Sequence, residues 1–203
     1  MNKNIILLLM PLLALVGCSK KINSQHLNRK PKPATIYNTP KPSPAEQYIY
    51  QYAKLSMKKM RDYGIPASIT LAQGILESAS GNSYLARKGN NHFGIKVNSE
   101  WDGQYIIRKD DQRKDRFRKY KCVEECFNDH SIFLKRARYT DLFKLKPTDY
   151  KGWALGLQAK GYATSKTYAQ RLIAIIEKYK LYDYDKIAMG DFQVMRAKKA
   201  STK

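Results

Sequence analysis

The sequence predicts an α+β domain that is mostly helical and carries one small β-hairpin. Two observations lead there. Between residues 43 and 180, apolar residues recur at helical spacing in five segments. Between residues 92 and 120 that period gives way to "HFGIKV", "GQYIIR" and "RFRKY", short strand-like runs parted by the turn signal Asp102-Gly103 and the polar loop "KDDQRKD". No internal repeat is present, and 203 residues suffice for one domain with appendages.

The chain opens outside that domain. Lys3 precedes the apolar run "IILLLMPLLALVGC", which is short for a membrane span and contains Pro11. A positive start, an apolar stretch and small residues at its end describe a secretory signal over residues 1–17. The ending Leu15-Val16-Gly17-Cys18 resembles the bacterial lipobox. That resemblance implies cleavage before Cys18 and its acylation, so that lipid chains hold the mature protein to a bilayer. Ser19 suits an outer-membrane anchor facing the periplasm, by analogy with lipoprotein sorting. The alternative is an ordinary secreted protein with a stray cysteine. Residues 18–44 are rich in Lys, Pro, Ser and Asn, without apolar period, and read as a tether reaching several tens of ångströms.

The domain is expected over residues 45–182. Its first helix has Ser43 as cap, Pro44 at the first position, Glu46 closing a capping box, and Gly64 as its stop. Ile49, Tyr52, Ala53, Met57 and Met60 mark its apolar stripe. Pro66 opens the second helix, which carries Glu77 and stops at Gly81. A third fits residues 124–137, with Phe127, Ser131 and Leu134 on one face. A fourth begins near Thr148 and carries Trp153 and Leu157. The fifth starts at a capping box from Thr167 to Gln170 and turns Tyr168, Leu172, Ile175, Ile176 and Tyr179 inward. Residues 183–203 read as a basic, weakly periodic tail.

Charge and cysteines narrow the function. The formal net charge of +21 suits an anionic partner. Nucleic acid is the weakest choice for an exported chain, and anionic envelope polymers fit better. Cys122 and Cys126 have no further Cys or His at zinc-site spacing. They read as small semi-buried residues, with a local disulfide the lesser option.

The second helix poses a chemical question. Ile69, Ala72, Ile75, Leu76 and Ala79 face one way, and Thr70, Gln73, Gly74 and Glu77 the other. Small side chains along that second face leave room for a ligand. Glu77 lies near the negative end of the helix dipole, which disfavours its ionised form, and partial burial acts in the same sense. A carboxyl kept protonated can serve as a general acid. From the helix alone, a solvated surface carboxylate is the stronger reading. The 15 tyrosines add surfaces suited to stacking on sugar rings, although helix-spaced tyrosines are mostly core.

Four segments in order, "PASITLAQGILESASGNS", "NNHFGIK", "FRKY...EECFNDHSIFL" and "KGYATSKTYAQRLIAII", resemble glycoside hydrolase family 73, the bacterial endo-β-N-acetylglucosaminidase domain. The resemblance covers roughly residues 45–182. It implies a lysozyme-like fold with the hairpin lobe beside an active-site groove, and hydrolysis of peptidoglycan glycan strands after N-acetylglucosamine. It implies Glu77 as general acid and a glycan-binding groove along Asn91, Phe93 and Gly94 and near Tyr162, Ala163 and Thr164. Gln73 and Tyr168 complete the expected substrate-binding set. Phe93 and Gly94 also read as a core aromatic and a turn, and His92 as a groove or packing residue without metal-ligand partners.

Glycosidases usually need a second carboxylate. The hairpin offers Asp102, Asp110, Asp111 and Asp115, and the resemblance favours Asp110 and Asp111, just after "YIIR". The chain has no Glu between Glu100 and Glu124, where some relatives use one. The neighbouring cations Arg108, Lys109, Arg113, Lys114, Arg116 and Arg118 read either as a solvated run or as a site for peptide-stem carboxylates. Water is the expected acceptor, with no metal or organic cofactor. The alternatives are a lytic transglycosylase, which can work with one acid, and a non-catalytic peptidoglycan-binding lipoprotein.

Overall fold

In a computed structural model, residues 40–110 and 113–190 are described. The signal segment, Cys18, nearly all of the tether, Asp111 and residues 191–203 lie outside them. Helix α1 (Pro44–Tyr63) starts as its sequence requires: Ser43 Oγ accepts from the Glu46 amide, and the Ser43 amide donates to the Glu46 carboxylate at 2.7 Å. Gly64 ends it in the left-handed region, with φ 80°, and its amide donates to the Met60 carbonyl.

Helix α2 (Ala67–Glu77) is covered on all sides from Ala67 to Ile75. This corrects the expectation of an open small-residue face. A Cβ at Gly74 would run into Tyr48 Oη, so the tyrosine of α1 occupies the space the glycine leaves. Thr70 Oγ1 donates back to the Pro66 carbonyl. The helix ends at Glu77, short of Gly81, and Ala79, Ser80 and Gly81 all take positive φ in the turn that follows.

A short helix α3 (Tyr84–Gly89) leads into the loop that holds Asn91 to Val97. That loop was expected to form a strand. One β-bridge, Lys96 opposite Phe117, joins it to the hairpin, with the Val97 amide donating to the Arg116 carbonyl and the Arg118 amide to the Ile95 carbonyl. The Asn91 side chain donates to the carbonyls of Ile95 and Arg118 and accepts from the Ile95 amide, folding the loop back on itself. The hairpin is antiparallel, β1 (Tyr105–Asp110) with β2 (Arg113–Arg118), in the register Tyr105↔Arg118 to Asp110↔Arg113.

Helix α4 (Val123–Leu134), a 3-10 helix (Ala137–Lys144), α5 (Tyr150–Ala159) and α6 (Tyr168–Lys178) complete the body. Asp149 caps α5 by accepting from the Gly152 amide. The expected capping box on α6 does not form, since the Thr167 side chain makes no cap bond; Gln158 Oε1 accepts from the Ala169 amide instead. Trp153, Phe127, Leu71, Leu157, Leu172 and Ile176 are fully enclosed in the core. Cys122 is exposed and Cys126 buried, both as free thiols.

Residues 182–190 form a helix, α7, which takes in the start of the basic tail expected from residue 183. Its Asp185 is fully buried and accepts from the amide of Ser68 at 2.8 Å and from Ser68 Oγ at 2.6 Å. The cap residue of α2, Pro66, brings no side-chain cap, so Asp185 supplies an acceptor there from the far end of the chain.

Candidate active site

Glu77 is the last residue of α2, and its side chain reaches the surface. One turn back, Gln73 lies on the same side of the helix. Both meet Tyr168, the first residue of α6. Gln73 Nε2 donates to Tyr168 Oη at 3.0 Å, and Tyr168 Oη donates to Glu77 Oε1 at 3.0 Å. Because the amide already donates to the phenol oxygen, the phenol proton points at the carboxyl. Burial, and then the charge of Glu77, push the Tyr168 hydroxyl far above its ordinary range, so it stays a donor.

The Glu77 carboxyl is raised from its ordinary value. Desolvation by the surrounding protein is the largest cause and outweighs the bond from Tyr168 and the attraction of Arg171. Behind the carboxyl stands an aromatic wall. Tyr162 is half-buried and stacks on Tyr168, with ring centroids 5.6 Å apart and planes at 22°. Its edge contacts reach His130 and Phe133. Thr164 is exposed in the same α5–α6 connection. A depression of about 280 Å³ opens beside the turn after Glu77, lined by Tyr48, Tyr52, Ser80, Gly81 and Asn82 among others.

Other expected ligand-binding residues point elsewhere. Gln73 is fully buried and reaches the site only through Tyr168, itself almost fully buried. Asn91 spends its side chain on backbone groups. Phe93 is buried and stacks on His130 at 3.8 Å, a core contact. His92 is buried against Tyr48 Oη, and burial pulls its imidazole down to about 4, so it is neutral and serves packing. Gly94 takes φ 64°, as a turn requires. These residues build the support under the site. The sequence concealed this because a buried amide and a groove amide look the same in one dimension.

The hairpin acids differ in their engagement. Asp115 binds Lys96 at 2.7 Å. Asp102 is exposed. Asp110 ends β1 opposite Arg113, and Asp111 lies outside the described residues. At the hairpin base, Arg118 pairs with Asp129 of α4 at 2.8 Å, Tyr120 donates to the same carboxylate, and Arg118 lies over Trp101 at 4.6 Å. Helix spacing alone gave no signal for this anchor. The Gln73–Glu77 spacing of one helical turn was the available signal for the Tyr168 relay.

Residues 53–181 match the glucosaminidase family model, described as mannosyl-glycoprotein endo-β-N-acetylglucosaminidase. The chain is 41% identical to the exo-glucosaminidase LytG of Bacillus subtilis over 62% of its own length and 48% of that protein. It is 25% identical to the peptidoglycan hydrolase FlgJ of Vibrio parahaemolyticus, over 77% of its length and 53% of that protein. The chain thus spans about half the length of these two relatives. Among solved structures, the catalytic domain of the autolysin Auto of Listeria monocytogenes superposes with a TM-score of 0.63 at 26% identity, covering 72% of this chain and 90% of that one. The glycoside hydrolase domain of Salmonella typhimurium FlgJ gives 0.57 at 25% identity, covering 78% and 97%. These likenesses bear out the mostly helical, lysozyme-like α+β fold.

Proposed function

The chain belongs to the glucosaminidase family, and on that footing we propose that it hydrolyses the β-1,4 bond after N-acetylglucosamine in the glycan strands of peptidoglycan. The observation that carries the proposal is Glu77: a carboxyl raised by desolvation, held by a tyrosine whose hydroxyl burial pushes up, at the surface end of a helix otherwise enclosed. Tyr168 occupies Oε1, so the transferable proton sits on Oε2. Glu77 passes it to the departing glycosidic oxygen as the bond to the anomeric carbon breaks. In an inverting course a hairpin carboxylate, Asp110 or Asp111, takes a proton from water as the water oxygen bonds that carbon; in a retaining course that carboxylate bonds the carbon first, and Glu77, now deprotonated, takes the proton of the water that displaces it. Tyr162 and Thr164 bind the sugars, and neither metal nor organic cofactor takes part.

In this reading residues 1–17 are removed, Cys18 carries lipid, and residues 18–44 tether the domain to the outer membrane from the periplasmic side. Peptidoglycan is the partner, and nucleic acid is not. Mass spectrometry of purified peptidoglycan digested by the domain tests the reaction. Reducing N-acetylglucosamine ends are expected. Anhydro-muramic ends would make it a lytic transglycosylase, and retention on the wall without sugar release a binding protein. Endo cleavage leaves fragments of many lengths, whereas exo cleavage releases sugars from chain ends only.

A further inference from the structure

The two faces of the hairpin carry different charge patterns. One face packs on the body: a Cβ at Gly89 would touch Ile106, and Phe117 is buried. Its cation Arg108 stands opposite Asp115 in register and lies over the Tyr84 ring of α3, and Asp115 itself holds Lys96. The other face holds Tyr105, Ile107 and Lys109 from β1, opposite Arg118, Arg116 and Lys114 from β2. Among its described strand residues this face bears no acid. Toward the base Arg118 is neutralised by Asp129 and covered by Trp101. Beyond it, Lys109, Lys114 and Arg116 are exposed and form no ion pair with the described residues.

Lys109 and Lys114 stand directly opposite each other in the register. Like charges at that position destabilise a two-stranded sheet, and an acid at either would relieve it. Between them and the base lie Ile107 and Tyr105, 57% and 46% exposed, with Arg116 over the Tyr105 ring at 5.3 Å. The surface therefore sets cations without an ion-pair partner among the described residues beside a small apolar step. A local rule broken on the solvent side, where packing does not force it, marks a face shaped for a partner.

We infer that this outer face binds the carboxylate-bearing peptide attached to the glycan, with Lys109, Lys114 and Arg116 on its carboxylates and Ile107 and Tyr105 against its methyl groups. The inference rests on the peptidoglycan reading above. Charge complementarity selects the occupant: three exposed cations on one hairpin face, with no ion pair to the described residues, call for several closely spaced anionic groups. The peptide supplies these together with short apolar side chains. Two exposed apolar residues give too little burial for a bilayer to be the better occupant. The glycan itself stays with Glu77, so the hairpin reads the substrate's second component.

The test is pelleting of the whole protein with intact peptidoglycan and with glycan strands stripped of peptide by an amidase. The variant Lys109→Gln/Lys114→Gln/Arg116→Gln is compared with a control of equal charge change elsewhere, Lys54→Gln/Lys58→Gln/Lys178→Gln. Wild type and control are expected to bind intact wall about tenfold more tightly than stripped strands at low salt. The hairpin variant should bind both alike, with a thermal melt no lower than that of wild type. Equal binding of wild type to both substrates overturns the inference, as does a hairpin variant that keeps the preference. Pelleting of wild type with phosphatidylglycerol vesicles, lost in the variant and as strong as on intact wall, also overturns it. Sugar release from the stripped strands is read separately: its absence in wild type counts against the glucosaminidase reading and leaves the binding preference to be judged alone.

Discussion

Helix α2 and the β-hairpin hold their carboxylates in opposite ways. Glu77 projects from a helix buried along nearly its whole length, and its oxygen is fixed through Tyr168 to Gln73. The hairpin packs one face on the body through Ile106 and Phe117 and exposes the other, and its base is tied to α4 through Arg118, Asp129 and Tyr120; its described acid Asp115 pairs with Lys96 at the surface. A proton donor works best with a fixed direction and a tuned affinity, and burial provides both. A group that activates water over a bound polymer has to admit that polymer, and a lobe at the surface allows it.

The largest effect that separates the two regions comes from the hairpin acids. Asp110→Asn and Asp111→Asn should differ sharply, one losing about 10²–10⁴-fold in kcat and the other little. Steady-state rates on solubilised glycan decide it; comparable, small losses in both would remove the hairpin from the chemistry. The stereochemistry follows from the same pair, since a separation of about 5 Å from Glu77 goes with retention and a wider one with inversion.

A smaller effect is expected in the buried region. Gln73→Leu frees the Tyr168 hydroxyl to turn away from Glu77. The bond from Tyr168 lowers the Glu77 affinity for its proton, so its loss raises that affinity further. The alkaline limb of the pH–rate profile should move to higher pH, with kcat down about tenfold and KM nearly unchanged. An unshifted limb would make Gln73 a packing residue only.

The smallest effect on activity comes from Asp185, where stability is the readout. Burial pushes its carboxyl up to about 6, above its unfolded value. A folded affinity raised in this way stabilises fully below the unfolded value and is lost as pH rises through 6. Wild type should therefore lose roughly 2–3 kcal/mol between pH 4 and pH 7 relative to Asp185→Asn, read from urea denaturation at each pH. Parallel stability curves for the two proteins would contradict the burial account.

The comparison also explains what the sequence made legible. The capping box of α1, the stop at Gly64, the hairpin and the helical stripes of α4 to α6 depend on neighbours a few residues apart, and spacing displays them. Helix spacing alone read Glu77 as a solvated carboxylate, and it was the four ordered motifs that singled it out. The contacts that define its setting span the chain: Tyr168 reaches it across 91 positions, Gln73 meets Tyr168 across 95, and Asp185 meets Ser68 across 117. Gly74 and Gln73 looked like the lining of a groove because nothing local shows that Tyr48 and Tyr168 cover them. Asn91 and Phe93 were read as ligand-facing for the same reason, and the Asn91 clamp explains why "HFGIKV" turns where a strand was expected.

The central claim is that Glu77 donates the proton that breaks the glycosidic bond. Glu77→Gln keeps the shape and the acceptor for Tyr168 but has no proton to give. Reducing-sugar release from purified peptidoglycan, measured beside circular dichroism and wall pelleting, tests it most directly. The account predicts a folded variant that binds the wall and releases no sugar above background. A folded variant that releases sugar at the wild-type rate would contradict it.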